Sequence, residues 1–409
     1  MAKFIPRPYK LHNKIQYYDW GTKNDDAFIP KLLDAEIERD RPYAELWIGA
    51  HPKASSEIEL DGRMTPLNEI ISGDTIDSLG EYVADKFSGT FPFLLKVLSA
   101  GKALSIQTHP NRSQAVRLHA SSPENYPDDN HKPEIAVAID SLTAVVGFKP
   151  AAAIASSLRS IPELREYADA RLLESVLSAA AATDLNKLVS NLYADIMRRT
   201  VEKERLNACV KKIHDRLSAR TSPAPEEAQF LRQYDEFGPD VGLFSLFFFN
   251  LVRLKPGQAI FTDAGVPHAY LSGNIVECMA NSDNVVRAGF TNKFKDVETL
   301  LDIVRYDFEE CNIINSEQKM DEVTYETRAE EFRITRFHKR PGSDRRFASN
   351  GRPSVCLVMD GEIEVRWVNG NNDNSQRLLR GESFFVPAFL PEYNVSAVRD
   401  ADYFVVDIP

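Results

Sequence analysis

Apolar residues along this chain fall into three rhythms. Through residues 1–150 they come as short runs separated by loops. Glu45–Ala50 is a brief apolar stretch around Trp47, and Phe91–Ser99 is nearly continuous. A near-continuous run of that length predicts a strand buried on both faces. Ala103–Thr108, stopped by Pro110, predicts another strand. Ile135–Ile139 and Leu142–Phe148 predict a further pair, with Asp140 and Ser141 as the turn between them.

The second rhythm covers residues 151–240. Alanine, leucine, lysine and glutamate dominate, and glycine is missing from 151 to 235. Leu185, Leu188, Val189, Leu192 and Ile196 share one helical face. Leu173, Val176 and Leu177 predict a helix before it. The block reads as a helical domain inserted between β segments.

From Val241 the pattern returns to β. Val241–Val252 is the longest apolar run, but Gly242, Ser245 and Asn250 interrupt it. A spanning helix needs about 20 apolar residues, so this run is core. Ala259–Thr262 and Asn274–Met279 predict strands, with Gly265–His268 as a loop between them. Beyond residue 325 come Ser354–Met359, Glu362–Trp367, Ser383–Val386 and Tyr403–Val406. Gly361 and Gly381 punctuate them, and Asn369–Asn374 reads as a loop. Many short strands with glycine turns predict a sandwich or barrel of jelly-roll type.

Composition narrows the function. A length of 409 residues allows two to four units at roughly 100–200 residues each. The 49 basic and 60 acidic side chains leave a net charge of −11. That sign argues against nucleic acid and against an anionic membrane surface, which both need a cationic face. An anionic small molecule would require positive charge concentrated locally. Cys209, Cys278, Cys311 and Cys356 are far apart and form no paired motif, as expected of reduced thiols. MAKFIPRPYK contains no apolar segment of the secretory kind. The expectation is a soluble, cytoplasmic protein.

Among eight histidines, His12, His51, His119, His214 and His338 have no ligand partners at motif spacing. His109 differs, because it lies two positions from Gln107 on a predicted strand, which places both on one side. Glu134 opens another strand, and His268 follows the Gly265 loop. Two imidazoles, a carboxylate and an amide oxygen could form a four-ligand zinc set. Equally, they could be polar residues at strand ends. The densest polar segment is Asn274–Lys293, with Glu277, Asn281–Asn284, Arg287 and Lys293. It reads as an anion site with a general acid or base nearby, or as a well-hydrogen-bonded turn.

These residues sit in blocks that resemble a known family. The blocks are Tyr18–Gly21 (YDWG), Ala44–Pro52 (AELWIGAHP), Phe91–Lys96 (FPFLLK) and Ala103–Pro110 (ALSIQTHP). They continue with Lys132–Glu134 (KPE), Gly147–Pro150 (GFKP), Pro267–Tyr270 (PHAY) and Glu277–Gly289 (ECMANSDNVVRAG). In this order, over nearly the whole chain, they resemble the type I mannose-6-phosphate isomerases, zinc enzymes of the cupin superfamily. The large helical insert resembles the eukaryotic form. One departure is Phe290–Asn292 (FTN), where Leu-Thr-Pro is the commoner pattern.

The resemblance implies a mainly β fold: two cupin-type jelly-roll barrels with an inserted α-helical domain. The catalytic barrel would comprise 1–150 and 241–325, with the insert at 151–240 and the second barrel at 326–409. His338 is the only histidine in that second barrel, so it lacks a cluster of imidazole ligands. The resemblance further implies one Zn²⁺ per chain on Gln107, His109, Glu134 and His268, and Arg287 as an active-site residue. The implied reaction interconverts mannose 6-phosphate and fructose 6-phosphate, feeding GDP-mannose metabolism. It needs a base for the proton moved between C1 and C2, for which Glu277 ranks ahead of Lys132 and His131. Ser105, Lys96, Arg287 and Lys293 could hold the phosphate. The substrate is a small sugar phosphate, and a monomer is expected. Two rivals are an iron cupin oxygenase built on a two-histidine, one-carboxylate triad and a non-catalytic sugar-binding protein.

Overall fold

All eight positions of the strand Phe93–Ala100 are buried, as its unbroken apolar run requires. It lies in the middle of an eleven-stranded sheet in the computed structural model, which describes residues 4–178, 182–315, 321–370 and 372–409. One neighbour is Glu45–Gly49, and the other is the long strand His268–Ala280.

That long strand organises the eleven-stranded sheet. Its first residues, His268–Ser272, pair with Leu142–Phe148, and His268 also faces Gln107 on Ile106–Thr108. Its remaining residues, Gly273–Ala280, lie between Phe93–Ala100 and Glu134–Ala138. The change of partners falls at Gly273, whose φ is +121°. A Cβ there would stand 2.6 Å from the Ser141 carbonyl oxygen, so glycine is required where the strand crosses that turn. One strand thereby carries both His268 and Glu277.

Glu134–Ala138 and Leu142–Phe148 are both strands, as expected, but they do not pair with each other. Each instead pairs with His268–Ala280. The apolar run from Val241 is also mixed. Gly242–Phe248 is a fully buried helix and Phe249–Leu254 a strand. A run without periodicity does not distinguish the two.

The insert is helical, with helices Ala151–Leu158, Ala170–Ser178, Ala182–Arg198, Lys203–Ser218 and Pro225–Phe237. Its apolar faces pack with Phe148, Phe244 and Phe249 in one core. The C-terminal unit has a six-stranded and a four-stranded sheet. The six-stranded sheet includes Glu322–Tyr325, just ahead of the expected boundary, and borrows Tyr9–Lys10 from the other end of the chain. The expected Asn369–Asn374 loop is shorter than foreseen, because Asn372–Leu379 is a strand paired with Glu362–Asn369; Asn371 lies outside the described residues.

The molecule is thus mainly sheet with helices. Among the described residues no sheet closes into a barrel by strand pairing. The outer face of the six-stranded sheet shares a core with the eleven-stranded sheet, in which Val355, Leu357 and Phe385 cluster with Leu46, Ile48 and Phe91.

Candidate metal centre and its surroundings

Three strands deliver three buried ligands to one point. Ile106–Thr108 ends just before His109, Glu134 opens its strand, and His268 opens the long one. Glu134 Oε2 lies 3.4 Å from His109 Nε2 and 3.1 Å from His268 Nε2. All three side chains are buried.

Hydrogen bonding on the far side of each ring fixes the tautomer. His109 Nδ1 donates to the Asn284 carbonyl at 2.7 Å, and His268 Nδ1 to the Val266 carbonyl at 3.1 Å. Each Nε2 therefore turns a lone pair toward Glu134. Burial pushes the His109 imidazole down to about 4, so it is neutral at pH 7. Both Nε2 atoms and Glu134 Oε2 are buried without a hydrogen-bond partner. Three converging acceptors repel one another, and a cation between them converts the repulsion into coordination. These residues fit a metal ion such as zinc. Gln107 stands opposite His268 in the sheet.

The other expected site residues divide into groups. Lys132 is buried, with Nζ 3.0 Å from Glu134 Oε1. Glu277 is buried one strand from Lys96, and Lys96 Nζ lies 3.3 Å from Glu277 Oε2 and 3.6 Å from Glu45 Oε1. Burial opposes the charge on Lys96, but Glu45, Glu277 and Glu134 outweigh it and raise its pKa. Burial also raises the Glu277 carboxyl, against the pull of Lys96. Lys96 is therefore already matched by carboxylates, unlike the free cation pictured for a phosphate.

His131 is turned away from the metal ligands. Its Nε2 meets Glu331 Oε1 at 2.6 Å. Ser105 is half-buried beside the Ile106–Thr108 strand, and Lys293 is exposed in a loop. Arg287 faces Gln107 across the sheet and lines a 260 Å³ cleft with Lys53, Tyr126 and Asp283. Among the described residues Arg287 forms no ion pair, and burial lowers its pKa.

Asn281–Asn284 act as the hydrogen-bonded turn. Ser282 Oγ donates to Asp128 Oδ1 at 2.7 Å, and Asn284 Nδ2 donates to the Asn130 carbonyl at 2.9 Å. The turn presents the carbonyl that orients His109. Sequence reasoning missed Glu45, which accepts from Trp47 Nε1 at 2.6 Å. Its signal was present, in a glutamate within the apolar AELWIG block.

Comparison with known proteins agrees with this geometry. A family model described as "Phosphomannose isomerase type I, catalytic domain" matches residues 9–151. Mannose-6-phosphate isomerase of Bos taurus is 42% identical over 73% of each chain. That of Ogataea parapolymorpha is 36% identical over 93% of each. A solved zinc-bound mannose 6-phosphate isomerase superposes with a TM-score of 0.84 at 28% identity, covering 98% of this chain and 99% of that one. Family blocks, buried ligands and full-length similarity coincide, and the chain belongs to the type I mannose-6-phosphate isomerase family of isomerase enzymes.

Proposed function

We propose that this chain is a zinc-dependent aldose–ketose isomerase that interconverts mannose 6-phosphate and fructose 6-phosphate. The observation that carries the proposal is the meeting of His109 Nε2, Glu134 Oε2 and His268 Nε2, all buried and unpartnered. Gln107 completes the ligand set. A bound Zn²⁺ supplies Lewis-acid polarisation of the substrate oxygens beside the reacting C–H bond.

The chain's own residues do the rest. Glu277 takes the proton from C2 of the aldose and returns it to C1, through an enediol-type intermediate, while the O2 hydroxyl proton passes to O1. Burial raises the pKa of Glu277, which makes it a stronger base than a solvated carboxylate. Lys96 holds that carboxylate in place, and Lys132 does the same for Glu134. Lys132 is the alternative base. Arg287, with no carboxylate partner among the described residues, takes the phosphate or the developing enediolate charge. Ser105 and Lys293 complete the phosphate contacts.

In the same reading the catalytic unit and the unit at 326–409 are two cupin-type jelly rolls, the second without metal. The enzyme works as a cytoplasmic monomer and feeds GDP-mannose metabolism. Among the described residues no helix is long and apolar enough to cross a membrane.

A coupled assay of mannose 6-phosphate conversion, with and without chelator, tests the proposal. Conversion should stop as zinc is removed and return with zinc. An oxygen requirement, tested anaerobically, would favour the iron-oxygenase alternative.

A further inference from the structure

The unit at 326–409 has no metal-ligating cluster among its described residues, yet it places one buried carboxylate beside the catalytic unit. Glu331 is 1% exposed and lies just ahead of the strand Arg333–Lys339. Its Oε1 accepts from His131 Nε2 at 2.6 Å and from Arg112 Nη2 at 3.3 Å. Its Oε2 accepts from the Glu330 amide at 3.1 Å. A carboxylate removed from water is costly unless its oxygens are met in this way. Glu331 also holds its charge, because the His131 hydrogen bond and nearby Arg112 outweigh burial and lower its pKa.

The neighbours of Glu331 are anchored too. Phe332 is fully buried in the core shared by the two units, and Glu330 pairs with Lys86 at 3.2 Å. The carboxylate is therefore a fixed point.

Its partner lies in the segment that leads to the metal. Residues 131–133 have no regular secondary structure, so their position depends on individual contacts. From one side, Ser282 and Asn284 bond the Asn130 carbonyl, and the Ala280 amide bonds the Pro133 carbonyl at 3.0 Å. From the other side, Glu331 bonds His131. Consecutive side chains then point opposite ways, His131 to Glu331 and Lys132 to Glu134 Oε1.

We propose that Glu331 is a positioning residue for the catalytic centre: it fixes His131 and thereby sets Lys132 against Glu134. This rests on the isomerase reading above. It gives the unit at 326–409 a part in turnover, and it gives His131 a mechanical role in place of that of a base. Glu331 itself touches neither ligand nor metal.

A double-mutant cycle on the zinc-loaded full chain tests it, using Glu331→Gln, His131→Asn and the double variant. Each single change should lower kcat per zinc-loaded chain by about 10-fold with KM changed by less than about two-fold, and the double variant should be no worse than either single. Zinc should stay at one per chain throughout. Unchanged kcat in the singles, or a double variant down by the product of about 100-fold, overturns the proposal. So does zinc loss that tracks the lost activity. A merely structural role would lower the melting temperature and leave kcat per zinc-loaded chain intact. Failure of the isomerase reading looks different, since the unaltered chain would not convert mannose 6-phosphate.

Discussion

The catalytic sheet and the C-terminal unit are both built of antiparallel strands around an apolar core, yet they fill their interiors differently. The catalytic interior buries Glu45, Lys96, His109, Lys132, Glu134, His268 and Glu277. Apart from Glu331 and Glu362, the C-terminal interior is mostly aliphatic and aromatic, with Phe384, Tyr393 and Tyr403 among its largest members. There Phe337 stacks on Tyr403 at 5.0 Å and Phe347 on Tyr393 at 5.1 Å. Buried charges cost several kcal/mol each before pairing, at order-of-magnitude level. Their concentration in one unit therefore marks where chemistry is done. The other unit uses the same strand geometry to gain stability.

The sharpest way to break this contrast is to remove a ligand. His268→Ala and Gln107→Ala should each release zinc and abolish turnover, read by metal analysis beside the coupled assay. Retained zinc with full activity would refute the ligand assignment. Next in size, Glu277→Gln should lower kcat by about 10²-fold while zinc stays bound. A near-normal kcat would move the base to Lys132.

The apolar core of the C-terminal unit should respond in the opposite sense. Phe384→Ala removes a fully buried ring and should cost about 3–5 kcal/mol of stability in denaturant titration. Its kcat per folded chain should hold. A fall in kcat at unchanged stability would blur the contrast.

The smallest effect concerns acid stability. Burial would raise the Asp283 carboxyl, but His51 and Lys53 more than offset it and depress its pKa below the ordinary 3.8. A depressed folded pKa adds stability that is present above the unfolded value and lost as pH falls through the folded one. Asp283→Asn should therefore flatten the loss of stability below about pH 4. An unchanged acid limb in thermal melts would show that the pair contributes nothing.

His109, Glu134 and His268, which meet in the structure, each sit in a short stretch that drew attention in the sequence. Gln107 and His109 are two residues apart, Lys132 and Glu134 likewise, and His268 follows a glycine turn. What was hidden is tertiary. Nothing near Lys96 in sequence announces that Glu45 and Glu277 already claim its charge, since these meet only across three adjacent strands. His131 beside Lys132 looked equally able to face the metal, but its imidazole instead meets Glu331, 200 residues away in the chain, and Arg112. In the fold, the run Phe91–Ser99 declared itself by being apolar throughout. Strands that are mostly exposed, such as Asp344–Ala348 and Asn372–Leu379, carry too many polar residues to stand out.

The most direct test of the account is zinc content measured alongside mannose 6-phosphate turnover as metal is withdrawn and restored. The account predicts one zinc per chain, turnover falling in proportion to its removal, and full recovery on readdition. A demonstrably metal-free preparation with full activity would contradict it, as would a zinc-replete one that leaves mannose 6-phosphate unchanged.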